Sequence, residues 1–161
     1  MEDAAVSASA MQEQFMRAAL EMARRGMAAG GPPVGASITR NAEILAKGHN
    51  AVIGELDITA HAEMVVIRAA CRKLRQLQLS GCVLYVTVQP CPMCLTAAYY
   101  AGIQTVVYGS SIESLNAITG NELCTAPADL FVGRSAQPAL TGGVLQQESD
   151  ALLASWAEGR V

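Results

Sequence analysis

Two short motifs, one with a histidine and a glutamate and one with two cysteines, constrain this chain more than any other feature. They are His61-Ala62-Glu63 and, further along, Pro90-Cys91-Pro92-Met93-Cys94. Imidazole nitrogen and thiolate sulfur are ligands that zinc prefers, and a catalytic zinc takes three protein ligands so that a fourth position stays open for water. A structural zinc needs a fourth protein ligand, but the sequence has no second Cys-x-x-Cys. We therefore predict one Zn²⁺ per chain, bound by His61, Cys91 and Cys94.

The carboxylate of the first motif indicates what such a zinc site would do. A zinc ion lowers the pKa of a bound water toward about 7, but zinc alone does not protonate a leaving group. Glu63 stands two residues from His61 and is placed to carry that proton. The sequence therefore predicts a hydrolase in which Glu63 is the catalytic residue.

Both motifs stand where the local sequence predicts the start of a helix. Apolar residues recur at helical intervals over residues 61–78, and Pro92 fits the first turn of a helix over residues 92–101. Cys91 and Cys94 are then three residues apart on one helix face. A lone Cys-x-x-Cys is also compatible with a redox pair, and a lone His-x-Glu arises by chance. Their combination at two predicted helix starts favours zinc.

The two motifs together resemble the cytidine and deoxycytidylate deaminase superfamily, of which they are the established signature. The likeness extends from Pro33-Val34-Gly35-Ala36 through His49-Asn50 to Val106-Val107-Tyr108-Gly109. Within the superfamily, the sequence is similar to the purine branch, which contains guanine deaminases and tRNA adenosine deaminases. The resemblance implies hydrolytic deamination, in which a carboxylate passes a proton from water to a ring nitrogen and then to the leaving amine.

The resemblance also implies substrate contacts at five positions. Asn50 would bind the ring or sugar, the backbone N–H of Ala62 would donate to a substrate carbonyl, and Val34 and Gly35 would line the base pocket. Glu113 would match the acidic residue with which guanine deaminases contact guanine. The alternatives are a turn residue at Asn50, plain core strand at Val34 and Gly35, and a surface helix cap at Glu113.

One departure from the family pattern leaves the substrate open. Gln89 precedes Pro90 where both comparison families usually have Glu, so the groups that support the zinc ligands differ in charge. We expect a guanine-like free base or nucleoside, or another aminated heterocycle such as a pterin. The alternatives are a tRNA-specific adenosine deaminase that converts adenosine to inosine, and an inactive zinc-binding partner subunit.

The distribution of charge favours a small-molecule substrate over nucleic acid. The chain has 161 residues and 11 Lys and Arg, of which only Arg134 and Arg160 follow Arg75. A nucleic-acid-binding protein usually carries a clustered basic surface, so we expect no nucleic-acid partner. No apolar run approaches the ~20 residues of a membrane span. We therefore expect a cytoplasmic protein with no membrane partner.

The arrangement of predicted elements indicates a three-layer α/β/α sandwich with a central mixed five-stranded sheet, as in cytidine deaminases. Residues 1–10 lack a period and are expected to be frayed or disordered, and residues 11–161 form a single domain. The apolar helix surface at Leu95–Ala101 predicts a homodimer. The predicted strands are 34–39, 43–48, 83–88, 104–108 and an edge strand at 142–145. The predicted helices are 11–28, 61–78, 92–101, 112–117 and 147–157.

Overall fold

Five strands form one mixed sheet in the computed structural model, which describes residues 2–159 and their side chains from residue 8 onward. The strands are β1 (Gly35–Arg40), β2 (Glu43–His49), β3 (Cys82–Val88), β4 (Thr105–Ser110) and β5 (Ala139–Thr141). Their spatial order is β2-β1-β3-β4-β5. Strand β1 is antiparallel to β2 and β3, whereas β3, β4 and β5 run parallel. This confirms the predicted mixed five-stranded sheet.

Helices cover both faces of this sheet, as predicted for three layers. The helices are α1 (Glu2–Ala28), α2 (Val52–Glu55), α3 (Ala62–Leu74), α4 (Pro92–Tyr100), α5 (Ile112–Thr119), α6 (Pro127–Leu130) and α7 (Gln146–Glu158). Alternate strand residues point to opposite faces. On one face, Leu84 and Val86 pack with buried residues of α3 and α4. On the other, Tyr85 and Val107 pack against α1, with α7 beside it.

The N-terminal helix begins at Glu2, so the predicted start at Met11 is too late. Alanines recur through the first ten residues, and alanine has the highest helix propensity even where no apolar period is visible. Met1 and the side chains of residues 2–7 lie outside the described part of the chain. The division into a frayed segment at 1–10 and a domain at 11–161 stays a prediction.

The fifth strand also differs from the prediction, because it lies at Ala139–Thr141 instead of residues 142–145. Gly143 has a φ of +86°, which is left-handed backbone that a strand does not contain. This glycine turns the chain toward α7. The short helix α2 was not predicted, since four residues are too few to show a helical period.

The close approach of α1 to the sheet accounts for the glycine at the start of β1. A Cβ at Gly35 would overlap the carbonyl oxygen of Ala19 and the backbone nitrogen of Ala23. Gly35 therefore lets α1 pack directly on the sheet. Among helices in the described part of the chain, none has the length and apolar character that crossing a bilayer requires.

Candidate zinc and substrate site

The predicted zinc ligands come together at the first turns of two neighbouring helices. His61 is the residue before α3 and Cys91 the residue before α4, and both have extended backbone there. One ligand atom each from His61, Cys91 and Cys94 lies within 4.8 Å of the others. The Nδ1 atom of His61 is 3.7 Å from the Sγ atom of Cys91. Ligands of a tetrahedral zinc at bond lengths of about 2.0–2.3 Å stand about 3.3–3.8 Å apart, so these residues fit a zinc ion.

These three groups share protons through hydrogen bonds, and a zinc ion would displace those protons on binding. Hydrogen bonds, first from the thiol of Cys94 and then from His61, together lower the pKa of Cys91 to about 4. The pKa of Cys94 is raised, first because that thiol donates to Cys91 and then because it is buried. The pKa of His61 is raised, chiefly by its hydrogen bond with Cys91. Thiolate and neutral imidazole are the forms that bind zinc, so binding releases the protons shared here.

Glu63 is a buried carboxyl group in the first turn of α3. Its exposed fraction is 3%. Burial is the main reason why its pKa is raised to about 7, and the nearby charge of Cys91 raises it further. A carboxyl group with a pKa close to the working pH both accepts and donates protons. Glu63 therefore lies beside the three ligand atoms with a pKa suited to proton transfer, and its catalytic role stays a prediction.

A cavity of about 540 Å³ opens over the zinc ligands. His61, Glu63 and Cys91 contribute to its lining. Most of the remaining wall is apolar, while Asn50, Gln89 and Glu122 are among the polar groups that line it. An apolar cleft with a few convergent polar groups is typical of a binding site for a small, flat molecule. The apolar lining includes Val34, Val52, Ile53, Ile58 and Trp156.

Two of the predicted substrate contacts line this cavity. Val34 is buried and Asn50 is half-buried, and both belong to the lining. The Oδ1 atom of Asn50 also accepts the backbone N–H of Val52 at 3.1 Å. Asn50 therefore forms the turn into α2, which was the alternative interpretation, while its side chain borders the cavity.

The other three predicted contacts lie elsewhere. Gly35 packs under α1, as its close contacts with that helix show. Ala62 is buried at the start of α3, where its backbone N–H has no acceptor within the helix. Glu113 is exposed in the first turn of α5 and is not among the lining residues. Their roles toward a substrate stay predictions.

A second carboxylate lines the cavity at a position that the sequence analysis missed. The Oε1 atom of Glu122 accepts the hydroxyl of Thr119 at 3.0 Å, and its backbone N–H donates to Oδ1 of Asn116 at 2.9 Å. Gly120, with a φ of +72°, ends α5 and turns the chain so that Glu122 comes back to the cavity. Residues 119–139 lack a period, so nothing in the sequence pattern predicted this return.

Gln89 connects the ends of two parallel strands beside the zinc ligands. Its backbone N–H donates to the carbonyl of Ser110 at 2.8 Å. Its Oε1 atom lies 3.5 Å from the backbone nitrogen of Ile112, at the long limit of a hydrogen bond. The first contact is made by the backbone and does not depend on the side chain. The second needs only an acceptor oxygen, which the neutral amide of Gln89 supplies.

The family comparison matches the part of the chain that contains the zinc ligands. The sequence model of the cytidine and deoxycytidylate deaminase zinc-binding region matches residues 9–110. This range ends at the last residue of β4. It includes Glu63 and all three ligands, whereas Glu122 and Trp156 lie beyond it.

Relatives of two substrate classes are similar to this chain. It is 44% identical over 99 residues to the tRNA-specific adenosine deaminase of Aquifex aeolicus, and that match covers 62% of this chain and 66% of the relative. It is also 44% identical over 99 residues to the guanine deaminase of Bacillus subtilis, covering 61% and 64%. The match thus spans slightly less than two thirds of either relative.

A solved structure extends the likeness across both layers of helices. The guanine deaminase from Nitrosomonas europaea superimposes with a TM-score of 0.80 and 28% identity, covering 91% of this chain and 84% of the other. The expectation that nucleic acid is excluded as a partner is not supported, because one relative is specific for tRNA. A small number of basic residues therefore does not exclude RNA as a partner of a protein with this fold. With the motif, the ligand geometry and these comparisons in agreement, the chain belongs to the cytidine and deoxycytidylate deaminase family and carries its zinc-binding region.

Proposed function

We propose that this chain is a zinc-dependent hydrolytic deaminase of a small aminated purine, with guanine as the expected substrate. The observation that carries the proposal is a pair of carboxylates, Glu63 and Glu122, in the lining of one cavity beside the zinc ligands. One carboxylate is suited to moving protons. The other is suited to recognising a base with several N–H donors.

The proton transfers follow from the placement of Glu63. When bound, the zinc supplies a Lewis acid that makes a water molecule acidic near neutral pH. Glu63 accepts the proton of the attacking water, donates it to a ring nitrogen, and then transfers a proton to the leaving amine. The C–N bond breaks, ammonia leaves, and a carbonyl replaces the amino group. Burial favours this cycle because it holds the pKa of Glu63 at about 7.

Recognition of the base is assigned to groups on both sides of the cavity. Asn50 and the backbone N–H of Ala62 would bind polar atoms of the ring, as the family resemblance implies. Guanine presents a ring N–H and an amino group on one edge, and a carboxylate accepts from both. We assign this contact to Glu122 in preference to Glu113, because Glu122 lines the cavity and Glu113 does not.

A panel of substrates tests the proposal. Zinc-loaded protein is incubated with guanine, adenine, cytosine, adenosine, guanosine and tRNA, and ammonia and inosine are measured. We expect guanine to be deaminated faster than every other compound, and the Glu63→Gln variant to release no ammonia above background. Inosine formation in tRNA without activity on any free base or nucleoside would overturn the proposal.

Adenosine deamination in tRNA is the second candidate function. The observation that favours it is the 44% identity to a tRNA-specific adenosine deaminase over the segment that holds the zinc motifs. The acidic Glu122 in the cavity argues for the free base, since RNA brings phosphates that a carboxylate repels. A role as an inactive partner subunit is disfavoured because the proton carrier Glu63 is present and buried beside the ligands.

A further inference from the structure

The single tryptophan of the chain lines the cavity, although it comes from the C-terminal helix. Trp156 lies near the end of α7 and is half-buried. We propose that Trp156 is a substrate-binding residue that contacts the flat face of the substrate ring. The proposal deepens the proposed function and rests on it in one respect, namely that the ligand is a planar heterocycle.

Helix α7 is held firmly enough to fix the position of the indole ring. The Ser110 hydroxyl donates to the Asp150 carboxylate at 2.6 Å, which ties the middle of α7 to the end of β4. Arg17 of α1 forms an ion pair with Glu148 at 2.7 Å. Leu153 is only 2% exposed and packs in the core. A side chain on a docked helix loses little conformational entropy when a ligand binds. Its contact with the ligand therefore contributes more to the binding free energy.

The remainder of the lining suits a flat, uncharged ring. Ile53 and Ile58 line the same cavity although 62% and 77% of their surfaces are exposed. Together with the indole of Trp156, these two side chains give the cavity an apolar surface that only a few polar groups interrupt. Among the described lining residues there is no lysine or arginine. A free heterocycle therefore matches this wall better than a phosphorylated one.

The part of the chain that supplies Trp156 lies outside the segment that the model of the zinc-binding region matches. The family match ends at Ser110, and the ligands and Glu63 lie inside it. The cavity wall formed by α5, Glu122 and Trp156 lies entirely after it. One wall of the substrate cavity is thus encoded after the segment that contains the zinc ligands and Glu63. Aromatic rings stack on a nucleobase with little regard to its identity, whereas neighbouring carboxylates select the edge.

Because Trp156 is the only tryptophan, its fluorescence reports directly on this contact. Zinc-loaded protein is titrated with guanine, then with adenine and cytosine, and indole emission is recorded with correction for base absorbance. We expect saturable quenching by guanine. The signal requires binding but does not require turnover. Quenching by guanine without its deamination would refute the proposed function and leave the role of Trp156 standing. No quenching by any of the three bases would overturn the role of Trp156.

Steady-state kinetics then separate contact from structural support, using the most active compound of the substrate panel. We expect Trp156→Ala to raise KM about tenfold or more with kcat changed less than about threefold. Trp156→Phe should restore KM to within about threefold and keeps the test possible if the alanine variant does not fold. Leu152→Ala is the matched control, because Leu152 is half-buried on the same helix against the α1 side. It should lower thermal stability without raising KM. Equal KM values for the parent and Trp156→Ala, or equal KM increases in Trp156→Ala and Leu152→Ala, would overturn the proposal.

Discussion

Glu63 has a raised pKa because the protein buries it, and this burial has a chemical use. An isolated buried carboxyl group is stabilised in its neutral form. Glu63 lies beside Cys91 and His61, so it is close to the place where a zinc ion would hold the attacking water. The motif alone predicted that Glu63 lies beside the zinc ligands at the start of a helix, while its role in proton transfer stays a prediction.

Replacement of Glu63 by glutamine tests whether this side chain transfers protons in the reaction. Glutamine has nearly the same shape but cannot accept or donate a proton at neutral pH. We expect Glu63→Gln to fold and to retain about one zinc per chain, while turnover falls about 10²–10⁴-fold. Ammonia release and metal content by mass spectrometry measure both. Turnover within about tenfold of the parent would assign proton transfer to another group.

The two acidic candidates for base recognition provide a matched pair of variants. Glu122 lines the cavity and is held by the Thr119 hydroxyl, whereas Glu113 is exposed on α5. Glu122→Gln should raise KM for guanine about tenfold or more, because loss of a charge-assisted hydrogen bond costs about 1.5–3 kcal/mol. Glu113→Gln should leave KM within about twofold. The reverse result would restore the contact that the sequence resemblance placed at Glu113.

At the scale of helices and strands, the sequence predicted those elements whose pattern is local. Strand β3 is a continuous apolar run between turn residues, and α4 begins at Pro92 after Cys91, so both were found nearly at their observed limits. Of the cavity wall beyond the zinc site, only Val34 and Asn50 were predicted. Helix α2, the return of Glu122 and the placement of Trp156 depend on contacts between distant segments, and no periodicity in the sequence encodes them.

The first turns of α3 and α4 also predict how the protein responds to loss of the metal. Cys94→Ser should reduce the zinc content to well below one ion per chain. The starts of α3 and α4 would then no longer be held together by a shared metal ion. Since ligand binding to the folded state adds to its stability, we expect the midpoint of thermal unfolding to fall by about 10 °C.

Cys71→Ala is the control for this variant, because Cys71 lies near the other end of α3 and is not a ligand candidate. It should retain about one zinc per chain. Treatment of the parent with a strong chelator should lower the midpoint to the same extent as Cys94→Ser. A Cys94→Ser protein with full zinc content would refute the ligand assignment.

At the scale of the whole molecule, the surface of α4 indicates association between copies of the chain. Tyr100 is 74% exposed, and its ring contacts that of Tyr99 with centroids 5.5 Å apart. Thr96 and Ala97 on the same helix are half-buried and small. Exposed aromatic groups beside small residues are favourable for close packing of a second helix. Because α4 begins directly after Cys91 and contains Cys94, such packing would also stabilise the segment that carries two zinc ligands.

We therefore predict a homodimer that buries α4. Light scattering at micromolar concentration should give about twice the chain mass of 16.8 kDa. Tyr100→Asp places a charge in the expected contact and should shift the protein toward the monomer, since burying an unpaired charge is costly. Leu77→Asp is the control: Leu77 is 81% exposed, follows α3 and lies outside α4, so the dimer should persist. A monomeric parent protein, or a Tyr100→Asp variant as dimeric as the parent, would show that α4 faces solvent.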